Sequence, residues 1–179
     1  MEEAFIISKI KNEETLHYGF NLLVQAYQER VYWHVRKMVI DHDDANDLTQ
    51  DIFVKVWSNL SKFREESSLF TWVYRIATNE CLNFLQKKKR RFMLPLGDVS
   101  EELASKIDSG NMMSGDEIQL KLQKALLKLP NKQRAVFNMK YYDDLKFEQI
   151  SAITGTSVGA LKANYHHAVK KIELFLSTD

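Results

Sequence analysis

Residues 147–176 read FEQISAITGTSVGALKANYHHAVKKIELFL. Phe147 to Thr154 has the apolar spacing of a short helix, and Gly155 is the residue type that takes the left-handed backbone at a helix end. Thr156 or Ser157 then offers a hydroxyl to cap a longer helix running to about Leu176. A short helix, a glycine turn and a longer helix make the spacing of a helix-turn-helix. On the second helix Val158, Leu161, Tyr165, Ala168, Val169 and Ile172 fall within one stripe at about 100° per residue. Gly159, Ala160, Ala163, Asn164, His167, Lys170 and Lys171 are left facing outward. Small residues at the start permit entry to the major groove, polar tips reach base edges and lysines meet phosphates. A plain amphipathic helix with a solvated lysine face explains the stripe alone. The preceding helix and glycine turn favour DNA reading. Protonated His166 or His167 adds a phosphate contact, so affinity for the duplex is expected to fall as pH rises.

Upstream of this motif, Ile118, Leu122, Ala125, Leu126 and Leu129 continue the helical period, which stops at Pro130 and restarts after Asn131, the expected N-cap. Residues 117–179 thus form a small helical domain near the lower size limit for an independent core. Residues 93–116 differ in character. Pro95, Gly97, Gly110 and Gly115 stand among Ser100, Ser105, Ser109 and Ser114, and acids outnumber bases, which predicts a flexible linker. Its acidity suits a segment threaded through a basic channel, and a solvated tether explains it equally simply.

Residues 1–92 are again helical in pattern. Phe20, Leu23, Val24, Tyr27, Val31 and Met38 mark one or two helices from Glu14 to Val39. A turn is expected at Asp41 to Asp44, with Asp43 or Asp44 capping a helix to about Leu60, and a further helix spans about Ser68 to Arg91. The expected fold is all-α: two small helical domains joined by a flexible linker, the second carrying the helix-turn-helix.

The 179 residues carry a formal charge of +1, 45% apolar and 27% charged side chains, 2 prolines and 6 glycines. Those values describe a globular protein rather than a polycation, so DNA binding must come from local basic patches. The lone Cys81 excludes an internal disulfide or a cysteine-rich zinc site and reads as a small buried thiol. With no basic leader and no stretch approaching about 18 apolar residues, the chain reads as cytoplasmic. We find no paired nucleophile and base, no phosphate-cradling glycine loop and no metal-ligand spacing at His34 or His42, so neither catalysis, a cofactor nor a small-molecule substrate is expected.

In the front domain Leu48, Ile52, Phe53, Val56, Trp57 and Leu60 define an apolar face, opposite which lie Asp47, Gln50, Asp51, Ser58 and Val54. An acidic, amide-bearing surface repels DNA but suits a basic protein partner. The next helix places Thr71, Trp72, Arg75, Asn79, Asn83 and Gln86 on one side, ending at Lys87, Lys88, Lys89, Arg90 and Arg91. Amides read base edges, an aromatic stacks on an unpaired base and consecutive cations track a backbone. Singly, Trp72 is more often a core residue than a stacking platform, and a terminal basic run often only complements a helix dipole. Together with the loop Phe63 to Ser68, including Arg64 and Ser67, they favour capture of a flipped base from single-stranded DNA.

The stretches DLTQDIFVKVW (47–57), FREESSLFTWVYRIATNECLNFLQKKKRR (63–91) and LPNKQRAVFNMKYYDDLKFEQISAITGTSVGALKANYHHAVKKI (129–172) resemble, in order and spacing, the extracytoplasmic-function group of sigma-70-type sigma factors. The resemblance implies an alternative sigma factor that directs core RNA polymerase to promoters. It implies that Asp47, Gln50, Asp51 and Val54 dock on the beta-prime clamp helices and that the second stretch captures the melted minus-10 element. The rear domain is then expected on the beta flap, with Ser157, Gly159, Ala160, Lys162, Ala163, Asn164, His166, His167 and Lys170 reading the minus-35 duplex. An anti-sigma partner is also implied. Two departures matter. Trp72 is followed by Val73 where primary sigma factors have paired tryptophans, implying weaker strand wedging, and alanine and histidines stand at groove positions where the family often has arginine. An ordinary helix-turn-helix repressor or activator and a helical protein-interaction adaptor are the competing readings.

Overall fold

The computed structural model describes residues 2–91, 98–108 and 117–178, which form helices without a strand. A front bundle contains α1 (Glu3–Ile10), α2 (Leu16–Val39), α3 (His42–Asn59) and α4 (Leu69–Arg91). Helix α5 (Asp98–Asp108) follows, and then α6 (Glu117–Leu127), α7 (Asn131–Tyr141), α8 (Phe147–Thr154) and α9 (Val158–Thr178) make the rear unit.

The front bundle forms because the apolar stripes of α2, α3 and α4 converge. Leu23, Val31, Val35, Ile52, Val56 and Val73 are fully buried there, each worth about 2 kcal/mol of burial. Helix α1 reaches the bundle through Gly19, where an added Cβ would lie 2.7 Å from Ile10 N and 2.8 Å from Lys9 C. Glu3 in α1 performs a capping role for another helix. Its Oε1 accepts from Leu69 N at 2.8 Å, and its Oε2 accepts from Phe70 N at 3.3 Å and Tyr27 Oη at 3.0 Å. Two of the donors left over at the start of α4 are thereby satisfied by a carboxylate placed where the helix dipole favours it.

Two expected caps fall elsewhere. Asp41, not Asp43 or Asp44, caps α3, its Oδ1 accepting from Asp43 N at 3.0 Å and Asp44 N at 2.9 Å. The N-cap of α7 is Pro130, with Asn131 already helical. Residues 93–116, read as linker, contain α5, which packs on α6 and whose Leu103 and Ile107 are buried in the apolar cluster shared by the two halves. Lys88 bridges Asp44 and Glu102 at 3.1 and 3.2 Å, and Lys106 meets Asp41 at 2.9 Å, so ion pairs fasten α5 to α3 and α4. The hydrogen bonds of Asp44 N, together with Lys106, hold the Asp41 carboxyl down at about 2 despite partial burial.

The rear unit has its own cluster of Leu122, Ala125, Leu126, Leu129, Phe137, Ala168 and Ile172. It also packs on the front bundle: α7 lies against α2 and α4, and α8 against α4. Ala135, Val136, Met139, Leu145, Ile150, Ile153 and Leu161 join the same apolar cluster as the front residues.

Candidate polymerase and nucleic-acid surfaces

Helix α3 turns Ala45, Leu48, Ile52, Phe53 and Val56 inward, which leaves Asp47, Gln50 and Asp51 exposed around Val54, itself 64% exposed. An apolar side chain open to water within an acidic ring suits a protein partner better than a polyanion.

The α4 surface is less uniform. Thr71 is only 5% exposed: its amide donates to Ser68 Oγ at 3.1 Å and its hydroxyl accepts from Ser68 at 2.9 Å, so it secures the helix start rather than facing outward. Trp72 is half-buried against Phe63, ring centroids 5.3 Å apart. In the preceding loop Arg64 is exposed, Glu65 takes φ 57 and pairs with Lys11, and Ser67 donates to Ser68 O at 3.3 Å. Arg75 is engaged by the rear unit, with Nε and Nη2 donating to Ala152 O at 3.2 and 2.7 Å.

Asn79, Asn83 and Gln86 are exposed and, with Lys89, line a groove of about 1120 Å³ whose far wall includes Lys128 and Lys132 at the α6–α7 turn. Of the basic run, Lys87 and Arg90 are exposed and Lys89 is half-buried. Lys88 is tied to Asp44 and Glu102 rather than free to follow a backbone.

In the helix-turn-helix, Gly155 has φ 72 and donates its amide to Ser151 O at 2.9 Å, closing α8. Ser157 Oγ accepts from Ala160 N at 3.3 Å and caps α9. Leu161, Ala168 and Ile172 are buried, whereas Ser157, Gly159, Ala160, Lys162, Ala163, Asn164, His166, His167 and Lys170 are all exposed. Tyr165 stands between Phe137 and Phe147, ring centroids 5.5 and 5.8 Å away, which fixes the roll of α9.

Several residues with structural weight fall outside the predicted sets. Arg134, only 2% exposed, donates from Nη2 to Met38 O at 2.9 Å, and Asp143 Oδ1 accepts from Lys37 Nζ at 2.8 Å. His34 is fully buried, its Nε2 3.0 Å from Thr78 Oγ1 and its Nδ1 3.7 Å from Asp143 Oδ2. Only a buried polar residue in an apolar stripe, such as His34, hints at such pairs in the sequence.

A Sigma-70 region 2 model matches residues 23–91, and a Sigma-70, region 4 model matches residues 119–172. The ECF RNA polymerase sigma-E factor of Escherichia coli (strain K12) is 32% identical over 165 residues, covering 87% of this chain and 85% of that protein. CnrH in complex with the cytosolic domain of CnrY superposes with TM-score 0.69 at 21% identity, covering 99% of this chain and 97% of that one. The sigma factor RpoE of Bartonella quintana, in complex with the anti-sigma factor NepR, gives TM-score 0.67 at 22% identity, covering 89% and 98%.

A region 2 bundle followed by a region 4 helix-turn-helix defines a sigma-70-type specificity subunit of RNA polymerase. Within that class the chain belongs to the extracytoplasmic-function sigma factors. It is an alternative sigma factor that binds core polymerase and promoter DNA and directs promoter-specific transcription. Sigma factors are regulatory subunits. Among the described residues no helix is long and apolar enough to cross a membrane.

Proposed function

We propose that each surface has one task in initiation. Asp47, Gln50, Asp51 and Val54 dock on the beta-prime clamp helices. Arg64, Ser67, Trp72, Arg75, Asn79, Asn83 and Gln86 capture unstacked minus-10 bases, with Lys87, Lys89 and Arg90 along the backbone. Exposed residues of α9 read the minus-35 duplex while the rear unit sits on the beta flap. Lys88 is a weaker backbone candidate than its neighbours, because two carboxylates already hold it.

The observation that carries this reading is the separation of chemistries on one scaffold. The acidic face with exposed Val54 lies on α3, the amides and cations on α4, and the small, polar and basic positions on α9. Chemistry belongs to the polymerase, and the chain itself is non-catalytic. The setting is the cytoplasm, and the two anti-sigma complexes of similar fold support an anti-sigma partner here as well.

In-vitro transcription with core polymerase tests the assignment. Asp51→Arg is expected to lose initiation, and Asn79→Ala to keep polymerase binding while changing promoter preference. Unchanged initiation by Asp51→Arg overturns the docking face, and unchanged preference in Asn79→Ala overturns the base-reading one. Tight binding of promoter duplex without polymerase would instead favour an ordinary helix-turn-helix regulator.

A further inference from the structure

Helix α1 precedes the residues matched by the region 2 model, yet it touches the segment proposed to capture the minus-10 strand at two points. Near its start, the half-buried carboxylate of Glu3 accepts from Leu69 N at 2.8 Å and Phe70 N at 3.3 Å, where the loop 63–68 becomes α4. Just past its end, Lys11 pairs with Glu65 inside that loop. Glu65 holds a left-handed φ of 57, a backbone state that a side-chain-bearing residue enters at a cost, so a contact on its carboxylate helps to select it. The anchors come from opposite ends of α1, an 8-residue helix about 12 Å long, and fix both the interior of the loop and its exit.

Helix α1 is in turn seated on α2. Ile6 and Ile10 are buried in the front core, the backbone of Lys9 and Ile10 lies against Gly19, and Thr15 Oγ1 donates to Lys9 O at 2.9 Å. The third partner of Glu3 is Tyr27 of α2, whose hydroxyl donates to Oε2 at 3.0 Å. Burial, and after it Glu3, raise that hydroxyl well above the ordinary phenol range, so it remains a donor. Between the anchors the loop leaves Arg64 exposed and packs Phe63 against Trp72, ring centroids 5.3 Å apart. A site for an unpaired base works best with its walls already in place, because ordering a loop on binding subtracts from affinity. We propose that α1 is a brace for this loop, with Glu3 and Lys11 as positioning residues for minus-10 capture that hold the DNA-contacting groups without touching DNA themselves. This rests on the assignment of the loop and α4 to strand capture.

The two anchors differ in weight. Glu3 serves three donors, two of them helix-start amides with no partner inside α4. The side chains of Lys11 and Glu65 are 62% and 41% exposed, so their pair is weak and screened by salt. Glu3 therefore carries most of the brace, and Lys11 trims the conformation of the loop. None of these contacts involves α3, so loosening the brace leaves the polymerase-docking face of that helix in place.

Two measurements on the full-length chain test the brace in wild type, Glu3→Gln, Lys11→Glu and the paired Lys11→Glu/Glu65→Lys variant. Hydrogen exchange of the free chain reads the backbone over residues 63–72. Transcription with core polymerase from a promoter library randomised through the minus-10 and minus-35 elements reads base preference. Glu3→Gln keeps one acceptor oxygen, and is expected to speed exchange at Leu69 and Phe70 by about fivefold and to flatten minus-10 preference by about threefold or more. Its minus-35 preference and polymerase affinity are expected to match wild type. Lys11→Glu is expected to change exchange within the loop by about twofold, less at high salt, and the swapped pair to restore it. Exchange unchanged over 63–72 in Glu3→Gln overturns the brace. Faster exchange with minus-10 preference intact, or with activity lost evenly over every promoter sequence, overturns its part in strand capture. Trp72→Ala and Asn79→Ala, run alongside, separate that failure from failure of the α4 assignment, in which they too leave the preference intact.

Discussion

Asp143 Oδ1 accepts a hydrogen bond from Lys37 Nζ at 2.8 Å, a contact that spans 106 residues and crosses from the helix-turn-helix unit to the front bundle. Burial works to raise the Asp143 carboxyl, but His34 and Lys37 outweigh it and hold the group below the usual carboxylate range. A carboxyl depressed in the folded state contributes stability above its unfolded value of about 3.9, and that contribution is lost as pH falls through the folded value. Asp41, held at about 2, acts in the same direction. Urea unfolding of wild type is expected to weaken steeply below about pH 4. In Asp143→Asn the same series should show a shallower acid dependence and a lower plateau at neutral pH.

Gly19→Ala provides a test with an unusual sign. In an open helix interior the change stabilises by about 1 kcal/mol. Here the new Cβ meets the backbone of Lys9 and Ile10 below 3 Å, and backbone cannot rotate away as a side chain can. A loss of about 1–3 kcal/mol is expected by chemical denaturation, with α1 displaced from α2.

Removing the carboxylate of Glu3 should act at a distance. Glu3→Ala leaves Leu69 N and Phe70 N without their acceptor and frees the Tyr27 hydroxyl. About 1 kcal/mol of stability is expected to be lost. Because the capped helix start adjoins the loop of Arg64 and Ser67, promoter opening should fall further than polymerase affinity, measured by permanganate reactivity and by pull-down respectively.

The α9 surface predicts two different outcomes for neighbouring substitutions. Lys170→Ala is expected to weaken duplex binding alike on all sequences and to reduce the salt slope by about 1, as loss of one phosphate contact does. Asn164→Ala is expected to relax preference within the minus-35 element at a cost of about 1–3 kcal/mol on the best sequence. Titrations across salt and across a mutated promoter series separate the two.

Cys81 is fully buried, and burial pushes its thiol up to about 12, so little thiolate exists at neutral pH. Alkylation should be blocked in the native chain and should appear together with unfolding in a urea series.

What sequence made legible was what local spacing encodes. Gly155 between two apolar periods located the helix-turn-helix, and the outward positions from Gly159 to Lys171 are exposed. The acidic face of α3 was equally readable, since Leu48, Ile52 and Val56 recur at four-residue spacing. Helix α5 was obscured because serines and acids around it read as linker, while its burial rests on Leu103 and Ile107 alone among the residues of known exposure. The outward assignment of Thr71 failed because its hydroxyl joins Ser68 at the helix start. No periodicity reports the pairing of Arg134 with Met38 or of Arg75 with Ala152, because those contacts depend on how the two halves pack.

The fastening of α5 also governs reach. With Lys88 and Lys106 holding that helix, only residues 109 to 116 connect it to α6, a stretch that spans roughly 28 Å at full extension. Released and unwound, the chain from 92 to 116 could span up to roughly 85 Å. The ion pairs, which added salt weakens, thus act with buried Leu103 and Ile107 to keep the tether between the two halves short.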